Sequence, residues 1–194
     1  MSKYSEKLKR RKSETTPIGV PLGVPYATPS CQQKQHTSGT SGHFCAGVIC
    51  QKMDGFWCFA GITDERFPND IRIPGGTNKN APWEEVIKTL HRELGEELGV
   101  VIEDDSCAEV HSVNKRGHTQ HFFIVRKWNG LLRVGPFKDS DGASLVIKWV
   151  TLAEFWRRCF KNHQHGFWAA VQSIAAEIQD QSFVLQARGA GIIF

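Results

Sequence analysis

Three observations predict an α/β domain that follows a long polar arm. Short apolar runs rich in β-branched and aromatic residues recur between Phe44 and Val150, each bounded by turn residues. Two other stretches, Trp83–Leu94 and Phe167–Ile178, repeat their apolar residues at helical spacing. Residues 1–41 show neither pattern. The chain of 194 residues, 40% hydrophobic and 23% charged, has room for one ordinary core plus a tail.

Taken in order, the arm comes first. Lys3, Lys7, Lys9, Arg10, Arg11 and Lys12 stand against a single acid, Glu6. This reads as a solubilising disordered end, and its charge also suits contact with RNA or an anionic surface. Ser13 to Ser41 is rich in Thr, Ser, Pro and Gly, with Pro17, Pro21, Pro25 and Pro29 evenly spaced, the composition of a linker or extended arm. The domain proper is expected over 42–194. Phe44–Cys50 and Phe56–Ile62 predict a hairpin closed by Asp54-Gly55. A loop through Pro68, Asn69 and Asp70 leads to Ile71–Ile73 and a Pro74-Gly75-Gly76 bend. A helix is expected from Pro82 to Gly99, capped by Asn80, with Trp83, Val86, Ile87, Leu90 and Leu94 toward the core. Strands are expected at Ala108–Val113, Gln120–Lys127 and Leu145–Val150, and a last helix at Phe167–Ile178 with Trp168, Val171, Ile174, Ala175 and Ile178 packed on the sheet.

The first helix carries an electrostatic oddity. Glu93, Glu96 and Glu97 stand at i, i+3 and i+4, so they share one strip. They crowd the last turns, where the helix dipole favours cations. Lys88 and Arg92 neutralise such a strip in part. A bound cation that prefers oxygen, Mg²⁺, Mn²⁺ or Ca²⁺, compensates it more fully.

Around those acids, Arg92-Glu93-Leu94-Gly95-Glu96-Glu97-Leu98-Gly99-Val100 fits the pattern R-E-U-x-E-E-x-G-U, U being aliphatic. This resembles the core of the Nudix box, the signature G-x5-E-x7-R-E-U-x-E-E-x-G-U of the Nudix hydrolases. Glu84 matches the upstream Glu. The position of the leading Gly is occupied by Asn78, and the Gly75-Gly76 pair lies earlier, so the intervening loop is longer by two residues. Trp149–Phe155 also resembles the strand-into-helix segment that follows the box.

The resemblance implies a Nudix-type α/β/α sandwich with a mixed β-sheet between helices. It also implies hydrolysis of a diphosphate linkage in a nucleoside diphosphate joined to another moiety. On that basis Glu93, Glu96, Glu97 and the Gly76 backbone are expected to hold Mg²⁺, with Mn²⁺ as a substitute, and Arg92 and Glu84 to support the site. The general base is Glu93 or a loop carboxylate, for which Asp139 and Asp141 are the candidates; Asp-Ser-Asp-Gly is also ordinary turn chemistry. A nucleotide-type small molecule is the expected substrate. Removal of phosphates from RNA 5′ ends, or nucleotide sensing by a regulatory module, are the alternatives.

The remaining features exclude more than they assign. Trp57, Phe122, Phe123, Trp128 and Trp149 could stack on a base, and each also suits the core. The six Cys show no C-x-x-C pair and read as reduced thiols of a cytoplasmic protein. His163 and His165, near Cys159, match no common zinc spacing and read as a surface loop. The longest apolar runs are too short to span a membrane.

Overall fold

A computed structural model describes residues 42–78, 84–115, 117–139 and 142–192. The chain divides into two units, Met1–His36 and Thr37–Phe194, and all described residues belong to the second. The basic tail, the Pro-rich arm, Asn80, Pro82, Trp83 and Asp141 lie outside the described residues.

The strands are β1 (His43–Met53), β2 (Phe56–Asp64), β3 (Phe67–Arg72), β4 (Gly75–Thr77), β5 (Cys107–Lys115), β6 (His118–Val125), β7 (Gly135–Lys138) and β8 (Ser144–Thr151). The helices are α1 (Val86–Leu98), α2 (Leu152–Arg158), α3 (Gln164–Ile178) and α4 (Gln181–Gly189). The sheet runs β5-β6-β1-β2-β8-β7, with β3 added to β2 and β4 added to β1. Among the described strands, β1 and β6 pair in parallel and the other pairs are antiparallel, so the sheet is mixed. β1 links its two parts. Residues 43–49 pair with β6, 44–46 with β4, and 50–53 with β2.

The alternation of side chains along β1 divides the interior into two layers. Cys45 and Ile49 pack with Leu90, Leu94 and Leu98 of α1, together with Phe123 and Val125 of β6 and Ile147 of β8. Ala46 and Val48 face the other way, into a layer closed by Phe155 of α2, Phe167, Val171 and Ile174 of α3, and Phe183 of α4. The result is the expected α/β/α sandwich. Gly47 allows α1 to lie close: a Cβ there would sit 2.6 Å from Leu94 Cδ1.

Several local expectations are corrected. The Asp54-Gly55 turn forms as expected, both residues in the left-handed region. The loop expected at Pro68–Asp70 is instead part of β3, which pairs with β2 at a sheet edge, where proline is tolerated. Helix α1 begins at Val86 rather than near Pro82, because Glu84 and Glu85 remain outside it and Glu84 turns toward Arg92. In α3 the buried stripe runs through Phe167, Ala170, Val171 and Ile174, while Trp168 and Ile178 are exposed. Phe167 sets that stripe at helical spacing, and Trp168 falls just off it. α4 and β7 carry too little patterning to be anticipated.

Candidate functional site

The acidic strip of α1 meets the β3–β4 bend at the end of the sheet. Its helix ends cleanly: Gly99 adopts φ 72° and its N–H reaches the Gly95 carbonyl at 3.0 Å. A cation also answers the last turn. Arg133 Nη1 donates to the carbonyls of Glu96 and Glu97 at 3.0 and 3.2 Å, and the Arg133 N–H donates to Leu98 O at 2.8 Å. Lys88, expected to relieve the strip, pairs with Glu85 instead.

Arg92 is the hub. Its Nε and Nη2 donate to the two Glu84 oxygens at 3.1 and 3.3 Å, a fork-to-fork pair. Nη1 donates to Glu93 Oε1 at 2.7 Å and lies 3.5 Å from Glu96 Oε1. Nη2 also reaches the Thr77 carbonyl at 2.9 Å, so the guanidinium fastens the helix to β4. Burial pulls the Arg92 pKa down, but its hydrogen bonds to Glu84 and Glu93 and their charges outweigh it and the net shift is upward. Glu84 is lowered in turn, first by its bond to Arg92. Behind this cluster, the fully buried Thr89 hydroxyl lies 2.7 Å from His43 Nε2 and also hydrogen-bonds Glu84.

The three strip acids have different surroundings. Glu93 is 5% exposed and packs against the Gly76 backbone so closely that a Cβ on Gly76 would collide with its carboxylate. Glu96 is exposed. Glu97 accepts the Gly75 N–H at 2.7 Å. Burial pushes the Glu97 carboxyl up to about 8; the Gly75 bond and Arg72 oppose this, while Glu93 and Asp139 add to it. Gly75 has φ 147° with the Cys45 backbone directly against it, so no side chain fits there. Asn78, standing where the signature has Gly, exchanges hydrogen bonds with the backbone of His43 at 2.9 and 3.1 Å and pins the start of the lengthened loop.

Asp139 caps its own turn, accepting the Ala143 N–H at 2.8 Å, yet it is near enough to raise the Glu97 pKa. The turn bond matches the ordinary turn chemistry expected of Asp-Ser-Asp-Gly, and Asp141 lies outside the described residues. Among the described residues, no group of three or more His, Cys, Asp or Glu side chains forms a ready metal cage. The donor chemistry still suits Mg²⁺, which is commonly held by one or two carboxylates with water and substrate phosphates completing its shell. Glu97 beside Glu93, in a dehydrated setting that drives the Glu97 pKa upward, is the arrangement a divalent cation relieves.

Next to Glu97 and Gly75 opens a cavity of about 190 Å³, with Phe44, Arg72, Gln120, Phe160 and His163 on its walls. Of these only His163 stood out in the sequence, and there it read as part of a surface loop. The Trp and Phe residues that did lie elsewhere: Phe122 and Phe123 are core, and Trp57 docks α4 through a 3.3 Å bond to Asp180. His165 is exposed as expected, whereas His163 is buried and its Nδ1 accepts the Ile73 N–H at 3.1 Å. Burial lowers its pKa to about 3, so the ring is neutral. Desolvation pushes the thiols of buried Cys45 and Cys159 and of half-buried Cys50 up, the last two to about 12, which disfavours the thiolate form.

No protein-family model matches the sequence, and no curated protein does. Solved structures do. A MutT/nudix family protein from Enterococcus faecalis superposes with a TM-score of 0.54 at 19% identity, covering 81% of this chain and 71% of that one. The NUDIX domain of NrtR from Shewanella oneidensis, complexed with ADP ribose, gives 0.54 at 16% identity over 68% and 87% of the two chains. A MutT structure described for Aliivibrio salmonicida and Vibrio cholerae gives 0.52 at 18% identity over 68% and 98%. The domain therefore has the fold of the Nudix hydrolases.

Proposed function

We propose that this chain is a divalent-metal-dependent Nudix hydrolase that cleaves the diphosphate linkage of a nucleoside diphosphate joined to another moiety. The observation that carries this is the clamp at the β4–α1 junction: Arg92 between Glu84 and Glu93, with Glu97 on the Gly75 N–H. Glu93, Glu96, Glu97 and the Gly76 carbonyl would hold Mg²⁺ or Mn²⁺. When bound, such an ion neutralises pyrophosphate charge and makes water a better nucleophile.

The chain's own residues do the rest. Arg92 and Glu84 fix the face that Glu93 presents, and Gly75 orients Glu97. Glu93 is the first candidate for accepting the proton of the attacking water. Asp139, within electrostatic reach of Glu97, is the loop alternative, with Asp141 beside it in sequence.

Release of phosphate or nucleoside monophosphate from a panel of nucleotides and nucleotide sugars, with Mg²⁺, tests the proposal. Glu97→Gln should lower turnover by at least ~100-fold, and undiminished activity would refute the metal assignment. Activity on 5′-triphosphorylated RNA that depends on Met1–Lys12 would support the RNA version instead. A second reading is a nucleotide-sensing module, favoured by the ADP ribose in the NrtR domain. Tight nucleotide binding with silence across the whole panel would select it.

A further inference from the structure

Glu84 is the outlying member of the clamp at the β4–α1 junction. It precedes Glu85, the N-cap of α1, so no turn of the helix fixes it, yet its carboxylate is what the Arg92 fork grips. A further bond comes from inside the helix, where the Thr89 hydroxyl hydrogen-bonds the Glu84 side chain. Thr89 is fully buried, and His43 Nε2 of β1 lies 2.7 Å from its Oγ1. A continuous chain of side chains therefore runs from β1 to the acidic strip: His43, Thr89, Glu84, Arg92 and Glu93.

The direction of that chain follows from its hydrogens. A threonine hydroxyl has one to donate, and an ionised carboxylate can only accept. The hydrogen bond from Arg92 is the first cause that keeps the Glu84 carboxyl ionised. The Thr89 hydrogen is thus given to Glu84, and His43 donates from Nε2–H to the Thr89 oxygen. Burial lowers the His43 pKa; His121, His118 and Arg92 act the same way and Glu84 opposes them, so the ring is neutral at neutral pH and its Nδ1 is bare. The ring is also held in place. The His43 backbone exchanges bonds with Asn78, and the His121 ring, itself bonded to Glu109 at 3.0 Å, stands edge-on at 6.2 Å. Without the Nε2–H donor, a hydroxyl inside a helix readily turns back to the carbonyl four residues earlier, here that of Glu85.

Building on the function proposed above, we infer that His43 is a positioning residue for the hydrolysis: its Nε2–H turns the Thr89 hydroxyl toward Glu84, which aims the carboxylate that grips Arg92 and so sets the face of Glu93. His43 reaches the reacting atoms only through this chain. What the position requires is a donor, since an apolar side chain of similar size would fill the same space. Glutamine carries an amide N–H to about the place of Nε2, and leucine carries none.

His43→Gln and His43→Leu in the full chain test this. Proton–nitrogen NMR at neutral pH reads two signals: the His43 ring, expected as Nε2–H with a bare Nδ1, and the exchange of the Arg92 Nε–H with water. That exchange should quicken at least about fivefold in His43→Leu and stay within about twofold of wild type in His43→Gln. With the nucleotide that the wild type cleaves, at saturating Mg²⁺, His43→Leu should lower kcat by about 10–100-fold while KM changes less than about threefold. His43→Gln should recover most of that loss. A His43 ring with its hydrogen on Nδ1 overturns the inference in the wild type alone, even where His43→Leu fails to fold. Equal losses in the two variants overturn it by making the ring a packing element. So does a His43→Leu protein with wild-type Arg92 exchange or wild-type kcat. A wild type that cleaves nothing sinks the hydrolase alone, and the two NMR signals then decide whether His43 sets the clamp.

Discussion

Acid should destabilise this domain through one imidazole. His163 is buried, and its Nδ1 accepts the Ile73 N–H, so a proton there would displace a hydrogen bond and strand a charge. Its pKa falls from an ordinary 6.5 to about 3, first through burial and then through Arg72 and Lys115. The unfolded chain therefore binds one more proton between those values, and stability drops as pH falls from about 6.5 toward 3. At ~1.36 kcal/mol per tenfold in proton affinity, roughly 2–3 kcal/mol is gone by pH 4.5, and the full effect is on the order of 5. Urea unfolding at pH 7.5 and 4.5 measures it, with His163→Asn as the reference. The Asn variant is less stable at pH 7.5 but keeps a polar group for Ile73, and every other titrating group is common to both proteins. Wild type should lose about 2–3 kcal/mol more than the variant between the two pH values. Equal losses, within about 0.5 kcal/mol, would refute the argument.

Three further outcomes are expected. Gly76→Ala drives a methyl into the Glu93 carboxylate, and should cut hydrolysis by about 100-fold, as small misplacements at reacting groups do, while circular dichroism shows the fold retained. Thr89→Val leaves His43 and Glu84 without the shared hydroxyl and should cost about 1–3 kcal/mol in urea unfolding, whereas Thr89→Ser should cost less than half as much. Arg133→Ala uncovers the last carbonyls of α1 and should lower stability by about 0.5–1 kcal/mol, an effect that shrinks in high salt.

What could be read from the sequence depended on how local the physics is. The Asp54-Gly55 hairpin, the Gly99 stop and the leucine face of α1 rest on short-range rules, and each forms as expected. Arg92, Glu84 and Glu93 were legible because their spacing lies on one helix and its approach. The cavity was not. Phe44, Arg72 and Gln120 come from three strands and His163 from the α2–α3 connection, and only the tertiary fold brings them together. Arg133 was hidden for the same reason, reaching back 37 residues to cap a helix that looked uncompensated. In α3, Val171, Ile174 and Ala175 pack inward as expected, but Phe167 rather than Trp168 leads the stripe, because the two are equally apolar neighbours and nothing local says which turns inward.

The eleven residues of β1 also set a physical distance within the molecule. Cys45 pairs with Gly76 at one end, and Asp54-Gly55 turns at the other. At about 3.3 Å per residue these ends lie roughly 30 Å apart. The turn is exposed, and the Gln186 side-chain amide of α4 donates a hydrogen bond to the Gly55 carbonyl. It is therefore a natural port for grafting: a fluorescent or affinity module spliced between Asp54 and Gly55 would ride at the far pole, and the acidic helix would be left to work undisturbed.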